Sequence, residues 1–299
     1  MSILVAGATG FVGGEVALRL QQRKQQVRAL VRGGLSHPKA KPMQEAGIAV
    51  VNGDLTLPET LAAACQGIET VVTTATSMPT GANDGLRRVD HEGTLSLIAA
   101  AERAGVKKFV YTSYSGNIRE DSPLETAKRA CEDRLLAGPM LAVILRPSYF
   151  MEMWLSPALG FDPGNASARI FGSGEAKGNY ISAFDVAEFA VVAAIKQPSS
   201  KNTILEMGGP DALSQLEAVR IFEHEFGRPM KLDFVPAAAL EEQHRSSDPL
   251  QKTFAALMLG YAKGDVIEDA TTLANQYGIM LRSVSDYARR VRQQMQSVA

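Results

Sequence analysis

A glycine-rich turn between an apolar run and a helical pattern constrains this chain more than any other feature. Residues 3–20 read ILVAGATGFVGGEVALRL, a GxxGxxG triad that follows a predicted strand and opens a predicted helix. In that context glycines let the backbone approach a pyrophosphate at a helix N-terminus. The pattern favours a dinucleotide-binding loop over a plain turn. The loop residues expected to contact the cofactor are Gly7, Thr9, Gly10, Phe11, Val12 and Gly13.

Strand-like runs alternate with helical patterns over the first half of the chain. One such helical pattern covers residues 86–104. Alternation of this kind, with nearly continuous apolar strands, predicts a parallel sheet covered on both faces, which is a Rossmann-type doubly wound α/β fold. The predicted strands are residues 3–6, 26–32, 48–52, 70–75, 107–112 and 142–146.

The second half of the chain departs from this rhythm. Residues 146–175 are rich in Pro, Gly and aromatic residues and are expected to be irregular. A strand is predicted in TILEMGG, and mostly helical structure is expected from Pro236 onward. Two helices are predicted from capping-box spacing, one beginning at Asp185 with Glu188 and one at Ser214 with Glu217. Asp185 is therefore expected to cap a helix and not to act in catalysis.

Composition excludes several classes of protein. The net charge of the 299 residues is −1 and the basic residues are scattered, so nucleic-acid binding is not expected. The two cysteines and four histidines lack metal-ligand spacing, and no metal is expected. The apolar stretch FAVVAAI is too short to span a bilayer, and the early glycine loop leaves no room for a cleaved leader. We expect a cytoplasmic protein whose cysteines are buried thiols.

The end of the second predicted strand bears on the choice of dinucleotide. An NAD-binding strand usually ends in Asp or Glu, which accepts a hydrogen bond from the ribose 2′-OH. Here the strand ends in Arg32, and Arg28, Lys39 and Lys41 lie nearby in sequence. A guanidinium suits a 2′-phosphate, so NADP(H) is expected in preference to NAD(H). The alternative is a solvated arginine beyond an edge turn.

Several motifs together resemble the atypical short-chain dehydrogenase/reductase superfamily, in its NmrA-like branch. The tail FAALMLGYAKGD is also similar to the quinone and triphenylmethane-dye reductases of that branch. The matching pieces, in family order, are GATGFVGG, Arg32, NGDL at 52–55, VVTTAT at 71–76, KKFVYTS at 107–113, ETAKRACE at 125–132, LRPSYF at 145–150 and ISAFDVAE at 181–188.

This resemblance implies a domain division and further cofactor contacts. A Rossmann domain that binds NADP would cover residues 1–147 plus about 182–208. A smaller substrate lobe would cover about 148–181 plus 209–299. The resemblance places Asp54 and Leu55 beside the adenine and Pro147 near the nicotinamide. It also places three residues of the fourth strand along the cofactor, namely Thr74, Ala75 and Thr76.

The sequence departs from the family at the proton donor. Typical members carry a tyrosine four residues before an active-site lysine, but here Lys128 is preceded at that spacing by Leu124. A phenol beside a lysine is the usual acid in carbonyl reduction, so ordinary alcohol dehydrogenase activity is not expected.

Lys128 falls within an apolar helical stripe. At 100° per residue Leu124, Ala127, Cys131 and Leu135 share one face with it, whereas Glu132 and other charged residues fall outside. A lysine there needs partners, and the resemblance supplies the ribose hydroxyls of a nicotinamide nucleotide. The alternative is a snorkelling lysine with its ammonium in water.

Two weaker candidates accompany Lys128 as catalytic residues. Ser113 ends the fifth strand, where the family often has its active-site serine, and a turn or capping serine is the alternative. Tyr149, like Tyr114, lies beside a sheet edge and is a candidate proton donor or stacking partner. A half-buried wall tyrosine is the alternative for both.

Two functions remain open at this point. The first is an NADPH-dependent reductase that passes hydride to a conjugated small molecule such as a quinone, enone or dye, for which a missing tyrosine is tolerable. The second is a regulatory protein that senses NADP(H) and binds a protein partner without turnover, as the resemblance to NmrA implies. Lys128 favours the first, because a sensor need not keep it.

Overall fold

A computed structural model describes residues 1–78, 84–196 and 201–298 of the chain. It divides into two compact units. Unit 1 comprises Met1–Tyr114, Pro123–Arg146 and Val186–Leu205, and unit 2 comprises Ser115–Ser122, Pro147–Asp185 and Glu206–Ala299. In the part of the chain so described, no helix is both long and apolar enough to cross a membrane.

Strands and helices are numbered in chain order. The strands are β1 (Ser2–Ala6), β2 (Gln26–Val31), β3 (Ala49–Asn52), β4 (Thr70–Thr73), β5 (Lys108–Thr112), β6 (Leu141–Pro147), β7 (Tyr149–Phe150), β8 (Phe161–Asp162), β9 (Ser167–Phe171), β10 (Lys177–Ile181), β11 (Thr203–Met207), β12 (Ala212–Ser214) and β13 (Lys231–Val235). The α-helices are α1 (Phe11–Gln22), α2 (Ala40–Glu45), α3 (Leu61–Cys65), α4 (Thr94–Arg103), α5 (Pro123–Leu136), α6 (Met151–Trp154), α7 (Ala183–Ile195), α8 (Gln215–Phe226), α9 (Ala237–His244), α10 (Pro249–Lys263), α11 (Ala270–Tyr277) and α12 (Val284–Val298).

A seven-stranded sheet forms the centre of unit 1, in the order β11-β6-β5-β4-β1-β2-β3. The pairings from β3 through β6 are all parallel, with Ile3 opposite Val27 on one side and Thr70 on the other. The predicted doubly wound α/β fold is confirmed, and all six predicted strands are present with ends within two residues. From β1 the strand order runs to one side of the sheet through β2 and β3, and to the other side through β4, β5 and β6. Ligands of such sheets bind at the carboxyl ends of the strands where this order reverses, here between β1 and β4.

The strands of unit 1 are continuously apolar because helices cover both faces of the sheet. Four consecutive residues of β1, from Ile3 to Ala6, are completely buried. Cys65 and Cys131 lie in the same core as free thiols, and burial raises the pKa of each to about 11. The prediction of buried thiols is confirmed, and both cysteines are held in their unreactive protonated form.

The helix predicted over residues 86–104 is present but is not uniform. Its first part, Leu86–Gly93, is a π-helical segment, and α4 continues from Thr94. A Cβ atom on Gly93 would lie 2.8 Å from the carbonyl oxygen of Leu55, so only glycine fits there. Asp90 of this segment is completely buried, and π-helical turns are often found at functional sites.

Unit 2 contains two small sheets, with strand orders β12-β10-β7 and β13-β9-β8. The expectation that residues 146–175 are irregular is wrong, because β7, α6, β8 and β9 lie within them. Their strands are only two to five residues long, so period-2 alternation is too short to detect. The strand TILEMGG is confirmed as β11, and the mainly helical tail is confirmed as α9–α12.

One of the two predicted capping boxes is present. The Ser214 hydroxyl accepts a hydrogen bond from the Glu217 amide at 3.1 Å, and Glu217 accepts one in return from the Ser214 amide at 2.8 Å. Helix α8 ends at Gly227, which has φ of +66° and is left-handed as a C-cap glycine requires.

Replacement of Ser214 by alanine is expected to destabilise the protein by about 1 kcal/mol, because the Glu217 amide loses its acceptor. Urea unfolding of wild type and Ser214→Ala measures this. Ser297→Ala, at the exposed end of α12, is the control. An unchanged free energy of unfolding in Ser214→Ala would contradict the capping role.

The other predicted capping box is wrong. Asp185 lies inside the first turn of α7, and its carboxylate accepts hydrogen bonds from the Arg282 amide, at 2.8 Å, and from the Arg282 guanidinium. Glu152 instead accepts from the first amide of the helix, that of Ala183, at 2.8 Å. Glu188 pairs with Arg19. The Ser182 hydroxyl, directly before the helix, accepts from the Phe184 amide at 3.2 Å. The cap of α7 therefore combines a neighbouring serine with Glu152, a residue distant in sequence that local spacing cannot predict.

Candidate functional site

The glycine loop lies at the carboxyl end of β1, against the end of β4. Gly7 has φ of +84°, and a Cβ atom there would lie 2.8 Å from the Ala75 amide nitrogen. A Cβ atom on Gly13 would lie 2.2 Å from the Gly7 carbonyl oxygen and 2.6 Å from the Thr74 hydroxyl. Glycine at both positions is needed for α1 to start this close to the sheet.

Gly10 differs from the other two glycines because its α-carbon faces open space. It is exposed, and a Cβ atom there would approach only the Gly7 carbonyl oxygen, at 3.2 Å. Gly10 is also the N-cap of α1, and no side chain accepts from the amides of that turn at the cap position. Amides of a first helical turn lack acceptors within the helix and attract anions. The loop therefore fits the pyrophosphate of a dinucleotide.

The four basic residues near the second strand differ in the partners that they have within the protein. Lys39 donates from its ammonium to the Thr9 carbonyl oxygen at 2.6 Å, which places a positive charge on the glycine loop. Arg32 is exposed immediately after β2. By contrast, Arg28 donates to the carbonyl oxygens of Ala64 and Gln66. The Lys41 ammonium lies 3.8 Å from the Glu45 carboxylate.

The loops after β3 and β4 contain the remaining predicted contacts of unit 1. The Asp54 carboxylate accepts a hydrogen bond from the Thr56 amide at 2.8 Å, which stabilises the turn that contains both residues. Leu55, between them, is buried. The Thr74 amide donates to the Ala6 carbonyl oxygen at 3.0 Å and holds this segment beside the glycine loop. Ala75 borders Gly7 directly, and Thr76 is exposed next to it. The contacts of these residues with a cofactor stay predictions.

Lys128 is buried, as the apolar stripe requires, and it has partners inside the protein. Its ammonium donates to the Thr112 carbonyl oxygen at 3.2 Å and lies 3.7 Å from Asp90 Oδ1. The ammonium is also 5.1 Å from the centre of the Tyr111 ring. Only 7 % of the Lys128 side chain is exposed, which excludes the snorkelling alternative.

Asp90 links Lys128 to the loop after β4, and sequence reasoning missed it. Its Oδ2 accepts from the Ser77 amide at 2.9 Å and from the Ser77 hydroxyl at 2.6 Å. Helical periodicity gives no indication that this carboxylate is buried. The only sequence indication is that a buried lysine requires an anion somewhere in the fold.

Ser113 lies in a network of ion pairs. Its amide donates to the Leu145 carbonyl oxygen at 2.7 Å, and its hydroxyl lies 3.4 Å from an Arg129 nitrogen. Glu132, expected outside the apolar stripe, is buried, because Arg129 and Arg146 both donate to its carboxylate. Burial opposes ionisation of Glu132, but the bonds from Arg146 and Ser113 outweigh it and lower its pKa. The Ser113 hydroxyl is thus hydrogen-bonded to Glu132 within the protein.

The two candidates of unit 2 lie at and after the end of β6. Pro147 is the last residue of that strand, and its carbonyl oxygen accepts from the Ser115 amide at 2.9 Å. Tyr149 is only 2 % exposed, more buried than a wall tyrosine, and its ring centre lies 4.8 Å from those of Trp154 and Tyr261. Burial raises the pKa of Tyr149 well above its usual value.

The chain is similar to several known proteins. A model of the NmrA-like family matches residues 1–258. An NAD(P)H azoreductase from Xenophilus azovorans is 32 % identical over 77 % of this chain and 75 % of its own. The photosystem II assembly factor Ycf39 of Trieres chinensis is 31 % identical over 81 % of this chain and 74 % of its own. The crystal structure of an NADPH-dependent quinone oxidoreductase from Escherichia coli complexed with NADPH aligns with a TM-score of 0.78. It has 22 % identity, over 97 % of this chain and 99 % of its own, which shows the shared fold.

Proposed function

The chain belongs to the NmrA-like family, and on that premise we propose that it is an NADPH-dependent reductase of conjugated small molecules. The observation that carries the proposal is the glycine cradle, in which Gly7 and Gly13 close on Thr74 while Gly10 faces open space. The azoreductase relative supports the class of acceptor, because its name joins NAD(P)H to the reduction of an azo compound. In this proposal unit 1 binds the dinucleotide and unit 2 binds the acceptor.

In this proposal different residues of unit 1 bind different parts of the dinucleotide. The first-turn amides of α1 receive the pyrophosphate, and Arg32 with Lys39 receives the 2′-phosphate. An ammonium has three N–H donors, and Thr112 takes one from Lys128, so donors remain for Asp90 and a ribose hydroxyl. Lys128 orients the nicotinamide in this way. The bound dinucleotide supplies a hydride.

The residue at position 124 restricts the acceptors. Leu124 is buried one turn before Lys128, at the position where a phenol would protonate an alkoxide. A conjugated acceptor spreads the incoming charge and collects a proton from water afterwards. Quinones, enones and azo dyes therefore suit this chain, and aliphatic ketones do not.

Anaerobic oxidation of NADPH tests the proposal directly. A panel of quinones, enones and azo dyes is compared with an aliphatic ketone of similar size. We expect turnover with members of the first group and none with the ketone. Rapid reduction of the ketone would show that another acid replaces the missing tyrosine, and the proposed restriction would be wrong.

A second candidate function is favoured by the internal partners of Lys128. Because the Lys128 ammonium donates to the Thr112 carbonyl oxygen and pairs with Asp90, a protein that only senses NADP(H) can keep this lysine for stability. The assembly-factor relative is named for association with a protein complex, which fits such a role. Tight NADPH binding without turnover of any acceptor in the panel would select this candidate.

NADPH is expected to bind more tightly than NADH because Arg32 pairs with the 2′-phosphate. The Arg32→Asp variant should lose about 1.5–3 kcal/mol of NADPH binding and little NADH binding. Calorimetric titration of both cofactors measures the difference. Lys41→Asp makes the same charge change at a nearby exposed lysine and serves as the control. Equal affinities of the wild type for the two cofactors would overturn the preference.

A further inference from the structure

Asp265 in unit 2 is a buried carboxyl group that is only half hydrogen-bonded. Its Oδ1 accepts from the Ser115 hydroxyl at 2.8 Å and from the Asn117 amide at 2.9 Å. Its Oδ2 is buried and has no hydrogen-bond partner among the described residues. No cationic side chain in those residues forms an ion pair with it, and Asp265 is 1 % exposed. Such an atom is costly to bury unless a ligand or water meets it.

The Tyr149 hydroxyl is a second buried group without a partner among the described residues, and it lies near Asp265. The neighbouring hydroxyls of Tyr180 and Tyr261, by contrast, are hydrogen-bonded to each other. Gly178 lies between the Asp265 main chain and the Tyr149 ring. A Cβ atom on Gly178 would lie 3.2 Å from the Asp265 amide nitrogen and 3.4 Å from Tyr149 Cε2, the ring carbon next to the one that bears the hydroxyl.

Asp265 can donate a hydrogen bond from its carboxyl group when that group is protonated. Burial raises the pKa of its carboxyl group, as does nearby Glu206, whereas the bonds from Asn117 and Ser115 act against the rise. A protonated carboxyl group has one O–H donor. Oδ1 already accepts two bonds, so the proton belongs on the unpaired Oδ2. Tyr149 thus offers one O–H donor that has no acceptor among the described residues, and protonated Asp265 offers a second.

We propose that Tyr149 and Asp265 form a two-donor site for the oxygen atom of the acceptor. This inference rests on the proposed reductase function. An enone that takes hydride at its β-carbon shifts its C=C pair towards the carbonyl, and the C=O π pair moves onto oxygen as an enolate. A quinone that takes hydride at one oxygen moves its π electrons through the ring, and the displaced pair ends on the other oxygen as a hydroquinone monoanion. Buried, preorganised donors stabilise such an oxygen strongly, and water supplies the proton afterwards.

Turnover of three variants tests the site. Tyr149→Phe and Asp265→Ala each remove one donor and should lower kcat with an enone about a hundredfold, with the Kd of NADPH unchanged. Asp265→Asn keeps an N–H donor and should retain most of the activity lost in Asp265→Ala. Equal losses in the Asn and Ala variants would show that a charged carboxylate acts there. A kcat within twofold of wild type in Tyr149→Phe would overturn the proposal.

Stability separates this role from a structural one. A buried hydroxyl without an acceptor destabilises the fold, so Tyr149→Phe should have a Tm equal to or above that of the wild type. Tyr180→Phe is the matched control, because it removes a paired hydroxyl from the same aromatic cluster. It should lower the Tm and leave kcat unchanged. A lower Tm together with unchanged kcat in Tyr149→Phe would assign Tyr149 to packing alone.

Binding of 4-nitrophenol distinguishes failure of the site from failure of the proposed function. Its yellow anion carries a phenolate oxygen like that of the reduced acceptor and needs no turnover. The NADP⁺-loaded wild type should bind the anion at least tenfold more tightly than Tyr149→Phe or Asp265→Ala. If no acceptor is reduced but the wild type still binds the anion more tightly than the variants, the two-donor site is supported and the reductase proposal is wrong. Equal binding by wild type and Tyr149→Phe would overturn the site, whatever the turnover.

Discussion

Replacement of Lys128 by alanine should lower kcat with a quinone about a hundredfold. Lys128 is the cation that orients the nicotinamide in the proposed mechanism, and a displacement of about 1 Å at a reacting centre costs roughly that factor. Single-turnover oxidation of bound NADPH, monitored by its absorbance, measures the change without a contribution from product release. The Kd of NADPH should change much less than kcat, because the pyrophosphate contacts are retained.

A control is needed because Lys128→Ala also leaves the Asp90 carboxylate buried without a cation. The double variant Lys128→Ala, Asp90→Asn removes that charge and should recover stability without recovering turnover. Lys107→Ala, at an exposed lysine before β5, should behave as wild type. If folded Lys128→Ala retains the turnover of the wild type, Lys128 serves only to neutralise Asp90.

The Gly10→Val variant should lose dinucleotide binding and remain folded. A Cβ atom at position 10 meets only the Gly7 carbonyl oxygen, at 3.2 Å, so the protein itself can accept it. The branched side chain would instead fill the open face where the pyrophosphate approaches the backbone. Calorimetry with NADPH and thermal unfolding of the same sample measure both effects.

Gly14→Val is the matched control for this variant. A Cβ atom on Gly14 would lie 3.3 Å from the Ala8 carbonyl oxygen, a contact as tight as that at Gly10, but Gly14 lies outside the triad. We expect NADPH affinity within a few fold of wild type. Undiminished binding by Gly10→Val, or equal losses in the two variants, would contradict the placement of the phosphate at Gly10.

Features set by local sequence could be predicted well. The strands of unit 1 are apolar throughout because both faces of the sheet are covered, so their positions are visible in the sequence. The glycine loop could be predicted because Gly7 and Gly13 have no sterically acceptable substitute. The burial of Lys128 followed from its place in an apolar stripe. Each of these features is marked by residues that lie close together in sequence, although the Cβ clashes at Gly7 and Gly13 involve the distant Thr74 and Ala75.

Features that depend on distant partners could not be predicted. Glu132 is buried because Arg146, on a later strand, forms an ion pair with it. Asp185 does not cap its helix because its carboxylate pairs with Arg282. The short strands β9 and β13 pair with each other across more than fifty residues, and neither has enough alternation to be identified alone. Asp265 follows the last turn of α10 and resembles any polar residue after a C-cap glycine.

The ion pair between Asp90 and Lys128 depends on the number of residues in the π-helical segment Leu86–Gly93. A π-helical turn holds about one residue more than an α-helical turn, and each residue advances an α-helix by about 100°. Deletion of exposed Glu92 would let the segment rewind as α-helix and would rotate Asp90 by that angle relative to α4, away from Lys128. Insertions and deletions here would therefore be more damaging than most substitutions, and the spacing between Asp90 and Gly93 should persist even where the residues between them vary.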